Sequence, residues 1–93
     1  MPIRTCRENE LFTESVDNLR KIYPRIDEIF QAVTWTLARH PFAGTRLPND
    51  PEYYVFETTP IGTTPSFWIL YHFDDDIVDL LSIGPVNKSE GED

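Results

Sequence analysis

Residues 67–84 read FWILYHFDDDIVDLLSIG. Two apolar runs flank the acidic turn Asp74-Asp75-Asp76, the pattern of a β-hairpin. Any functional side chain on either run is therefore expected on a rigid element. A two-residue loop at Asp75-Asp76 sets Tyr71 opposite Leu80 and His72 opposite Asp79. A three-residue loop sets Tyr71 opposite Asp79 instead. Apolar residues stand on both faces of the hairpin, so alternation leaves both registers open.

Upstream, YYVFET at residues 53–58 reads as another strand. Residues 60–65, with Gly62, connect it to the hairpin. Residues 42–51 carry Gly44, Pro48, Asn49-Asp50 and Pro51, and read as a loop. Three strands with short links form an antiparallel meander.

Before the loop, two helices are expected. The first spans residues 9–22, with Asn9 as N-cap and Glu10 and Glu14 near the positive end of its dipole. Phe12, Val16, Leu19 and Tyr23 recur at helical spacing. The second spans residues 24–39, with Ile26, Ile29, Phe30, Val33 and Leu37 on one face. Asp27 and Glu28 open it, while Arg39 and His40 close it before Pro41. Tyr23-Pro24 joins the two so tightly that a helical hairpin follows. Residues 2–6 read as a short first strand. The fold class is α+β, with the helical hairpin covering one face of the sheet. Residues 1–84 form one domain, and residues 85–93 are expected to be an acidic, frayed tail.

The 93 residues suit a single domain and carry a net charge of −8. That charge is uneven. Residues 1–46 hold seven basic and six acidic side chains, whereas residues 47–93 hold Lys88 against ten carboxylates. A phosphate backbone is bound through Lys and Arg. Direct nucleic-acid binding is therefore not expected of the second half. No apolar run approaches the roughly 20 residues that cross a bilayer. The opening MPIRTCRENE has no signal-peptide core. Cys6 is the one cysteine. A cytoplasmic protein without membrane contact is the expectation.

The order strand, helix, helix, three strands resembles the RelE/ParE superfamily of type II toxin–antitoxin toxins, also called plasmid-stabilisation proteins. Phe12, Leu19…Tyr23-Pro24 and Leu37…Pro41…Gly44…Leu47 carry the resemblance. So do Leu70-Tyr71, the acidic turn and Ser82-Ile83-Gly84. The resemblance implies a small toxin silenced by a cognate antitoxin. Its branches act on ribosome-bound messenger RNA or on DNA gyrase. The ribonuclease branch commonly has an Arg where this chain has Trp68, and a basic run where it has Pro85-Val86-Asn87-Lys88. Lysines expected at residues 52–58 are absent. RNA cleavage through the 2′-hydroxyl needs a base, an acid and cations around the phosphorus. Removing one such stabiliser costs about 3 kcal/mol, roughly a hundredfold in rate. The expectation is thus a toxin-like component acting by protein–protein contact.

Candidate residues follow from that reading. His72, oriented by Asp79, with Tyr71 and Lys88, would serve a divergent ribonuclease. The ordinary alternative is a strand histidine paired across the hairpin and a packed tyrosine. Trp35, Trp68, Arg20, Arg25 and Arg46 are candidates for partner contact. Core packing for the tryptophans and a solvated helix face for the arginines are the plain alternatives. A non-toxic regulatory module is a third functional alternative. The Asp74–76 carboxylates lack metal-ligand spacing, and neither metal nor cofactor is expected.

Overall fold

The computed structural model describes residues 3–86. Strand β1, Thr5–Glu8, leads into helix α1, Glu10–Ile22. Asn9 caps that helix: its side-chain oxygen accepts the Phe12 backbone N–H at 2.7 Å. A three-residue turn then gives helix α2, Ile26–Arg39. A short 3-10 turn, Pro41–Ala43, passes the chain to β2, Thr45–Arg46. Strands β3, Tyr54–Glu57, β4, Phe67–Phe73, and β5, Ile77–Pro85, complete the domain.

The sheet order is β1-β5-β4-β3-β2. The pairs β2–β3, β3–β4 and β4–β5 are antiparallel, as a meander requires. β1 instead runs parallel to β5, with Thr5 opposite Ile77 and Arg7 opposite Asp79. A parallel pair needs a long crossover. Here the helices and three intervening strands provide it.

The register of the β4–β5 hairpin is the two-residue-loop alternative: Tyr71 faces Leu80 and His72 faces Asp79. Between Leu70 and Tyr71 the register slips, because Leu70 pairs with Ser82. Leu81 is the extra residue of this β-bulge. It explains the apolar residues on both faces. Val78 and Leu80 point to the core before the bulge, and Ile83 returns to the core after it.

Phe12, Ile26, Leu37, Phe67, Ile69, Tyr71, Val78 and Leu80 are fully enclosed. Val16, Ile29 and Val33 join them, with Leu19, Tyr23 and Phe30 packed at the margin. These are the helical stripes anticipated from spacing, and they meet alternate residues of β4 and β5. Burying each large apolar side chain contributes about 1.5–3 kcal/mol. One face of the sheet is thereby committed to the helices.

Five elements differ from the sequence reading. β3 spans Tyr54–Glu57 rather than residues 53–58. β1 spans Thr5–Glu8, so residues 3 and 4 of the expected strand precede it and residue 2 lies outside the described residues; the Thr5 N–H donates to Asp76 O at 2.9 Å. Helix α2 begins at Ile26 rather than at residue 24, because Pro24 and Arg25 form the turn. The region read as loop contains β2, a fifth strand that takes the edge position beside β3. β5 continues past residue 84: Pro85 pairs with Phe67, and the Val86 N–H donates to Ser66 O at 2.9 Å. The start of the expected tail is therefore tied to the sheet. Residues 87–93 lie outside the described residues.

Candidate functional site

The face of the sheet opposite the helices has no layer over it among the described residues. Strand alternation puts Trp68, Leu70 and His72 of β4 there. Their partners are Glu57 and Val55 on β3, and Gly84, Ser82 and Asp79 on β5. Arg7 of β1 extends the row beyond Asp79. Trp68, Leu70, Val55 and Ser82 are half-buried. An apolar centre thus faces solvent between polar margins.

Asp79 organises one margin. Its Oδ1 accepts the Arg7 Nε–H at 2.7 Å, and its Oδ2 lies 3.6 Å from His72 Nδ1. The second distance exceeds a direct hydrogen bond. The Arg7 guanidinium is held more firmly in its charged form, first by the hydrogen bond to Asp79 and then by that carboxylate's charge. The Tyr53 ring meets the His72 imidazole edge-on, with centroids 5.6 Å apart. His72 is therefore a cross-strand neighbour of Asp79 on a solvent-facing surface.

Tyr71 occupies the other face. It is fully buried, and its hydroxyl donates to Pro41 O at 2.6 Å while accepting the Gly44 N–H at 3.0 Å. Burial pushes its pKa up to about 12. It acts as a core strut that fastens the 3-10 turn to the sheet. Tyr71 and His72, adjacent in sequence, project to opposite sides, so no joint site forms. Lys88, the third residue of that candidate set, lies outside the described residues.

The arginine candidates are dispersed. Arg20 binds Asp17 and Asp27, each within 2.8 Å, and holds the Asp27 carboxyl below its usual range. Arg25 pairs with Glu28 at 3.1 Å. Arg46 donates to the Tyr54 hydroxyl on the helix-side register of the sheet. None of these hydrogen bonds or ion pairs is to His72. Trp35 is 57% exposed on α2, with the Arg39 guanidinium 4.2 Å from its ring. Trp68 lies on the open face, where its indole covers Gly84. Asp74 Oδ1 accepts the N–H groups of Asp76 and Ile77, which depresses the Asp74 pKa. The acidic turn is thus organised by its own backbone.

Tyr53 flanks His72 and Arg7 lies on the far side of Asp79; neither was singled out in the sequence. Arg7 is separated from Asp79 by 72 positions, and only the parallel pairing unites them. For Tyr53 the signal was its place at the start of the YYVFET run. Among the described strand residues, Arg7 and Arg46 are the basic side chains. The open face consequently offers a developing phosphorane charge one arginine, already bound to Asp79.

No helix among the described residues is long and apolar enough to cross a membrane. Comparison with protein-family models and with curated proteins gives no match.

Proposed function

We propose that the protein is the toxin-like component of a type II toxin–antitoxin pair and acts by gripping another polypeptide. The open sheet face is its principal contact surface, with the outer side of the helical hairpin contributing. The observation that carries this reading is the uncovered strip of Trp68, Leu70 and Val55, with Arg7 engaged by Asp79. Apolar groups with a polar margin suit a protein interface. The scarcity of cations argues against a phosphate substrate. The strand–helix–helix–strands order, which resembles the RelE/ParE toxins, supports the toxin–antitoxin assignment.

The test is co-expression with the product of the adjacent reading frame. The expected result is a purified complex and relief of growth arrest, with reduced hydrogen exchange at β4 and β5. Failure to arrest growth alone and failure to copurify would overturn the proposal. A divergent ribonuclease is the second reading, favoured by the Arg7–Asp79–His72 row. It would use His72 as base and Arg7 as cation, without Tyr71.

A further inference from the structure

Phe42 is 67% exposed, yet the residues around it are firmly placed. The Tyr71 hydroxyl binds Pro41 O on one side of it and Gly44 N on the other. Gly44 approaches so closely that an added Cβ would stand 2.7 Å from Val55 O. The turn therefore has little freedom. It projects the Phe42 ring edge-on over Phe73 at 4.9 Å and toward Tyr54 at 6.2 Å. Together with Pro51, Glu52 and His72, these rings line an opening of about 400 Å³.

The charge around the opening has a clear sign. Tyr54 pairs with Tyr71, so the β2–β3 loop and the β4–β5 turn lie at one end of the sheet. The loop brings Asp50 and Glu52 there, and the turn brings Asp74, Asp75 and Asp76. Three arginines stand at this end against the five carboxylates: Arg4 and Arg7 act on Asp74, Arg7 while also bound to Asp79, and Arg46 is the third. Arg4 donates to Asp74 O and lies over the Phe73 ring, while Arg46 is bound to the Tyr54 hydroxyl. His72 and the Tyr54 hydroxyl also line the opening. The surplus is negative, around an aromatic floor.

We propose that this end of the sheet is a docking site for a basic polypeptide segment, which seats one apolar side chain beside Phe42 and sets Lys or Arg against the acidic loops. The inference rests on the polypeptide-contact reading and adds the chemistry of the partner. An exposed aromatic held in place loses little freedom on binding, which suits an interface anchor. Carboxylates in the flanking loops steer a basic segment and repel a nucleic-acid backbone.

The experiment is an amide NMR titration of the full chain with a Lys-Lys-Leu-Lys-Lys peptide. Lys-Lys-Ser-Lys-Lys and Glu-Glu-Leu-Glu-Glu peptides serve as controls. The expected result is shifts centred on Phe42, Glu52, His72 and Phe73, with affinity at least about fivefold above either control. Phe42→Ala should lower that affinity about fivefold while leaving amide dispersion unchanged, and Glu52→Gln should lower it about twofold. If Phe42→Ala disturbs the turn, Phe42→Leu should retain measurable binding. Equal binding of the Leu and Ser peptides, binding of the acidic peptide, or wild-type affinity in a folded Phe42→Ala variant would overturn the site. A neighbour-encoded partner that copurifies while the peptide ignores the opening would overturn this inference alone. A peptide that seats while no partner copurifies would leave the site standing and overturn the toxin–antitoxin reading.

Discussion

The Trp68 indole covers Gly84, its partner across the β4–β5 ladder. A Cβ added to Gly84 would stand 2.7 Å from the ring. The bare glycine lets a large aromatic side chain lie against the strand on the open face. Gly84→Ala is expected to displace the indole and destabilise the domain by about 1–3 kcal/mol through overpacking. Urea unfolding followed by tryptophan emission checks this. An unchanged midpoint and spectrum would show that the indole does not rest there.

Tyr71 couples the core to the Phe42 turn through two hydrogen bonds. Tyr71→Phe keeps the ring and removes the hydroxyl, leaving Gly44 N and Pro41 O without that partner. The expected cost is about 1–3 kcal/mol, with faster hydrogen exchange at Gly44. The same group predicts an alkaline limb. Its folded pKa of about 12 lies above the reference value of 10.0, so its contribution is complete below pH 10. That contribution falls as pH rises from about 10 to about 12. Wild type should lose more stability than Tyr71→Phe across that interval.

Asp74 gives the opposite sign. Its carboxylate accepts two turn N–H groups, and its pKa is depressed below 3.8. The associated stability is present above about pH 4 and is lost as pH falls through the folded pKa. Asp27 beside Arg20 acts in the same direction. Asp74→Asn should therefore lose less stability than wild type between pH 5 and about pH 2. Equal losses, measured by urea midpoints, would contradict the turn geometry.

The limits of the sequence reading trace to particular residues. β4 was legible at its observed bounds because FWILYHF is rich in β-formers and enclosed by Ser66 and the acidic turn. Asn9 was legible as a cap because a short polar side chain precedes a helical stripe. β2 was hidden: Thr45 and Arg46 are both exposed, and two residues carry no period. β1 was misplaced for a related reason, since Arg7 and Glu8 look like surface residues rather than strand residues. The hairpin register was masked by Leu81, a bulge residue that puts apolar side chains on both faces and that local alternation does not announce. Site geometry suffered most. Arg7 reaches Asp79 through parallel pairing, and Phe42 reaches Phe73 through a turn fixed by Tyr71. Such encounters are set by topology, whereas the departure of Tyr71 from the His72 side follows from simple strand alternation.

In the proposed role the open sheet face binds a polypeptide and does not break a phosphodiester. The most direct measurement incubates the purified protein with ribosome-bound messenger RNA and maps cleavage against the His72→Ala and Arg7→Ala variants. The predicted result is no cutting above background by any of the three. Cutting by the wild type that falls at least about a hundredfold in either variant would contradict the claim and establish the Arg7–Asp79–His72 row as a catalytic site.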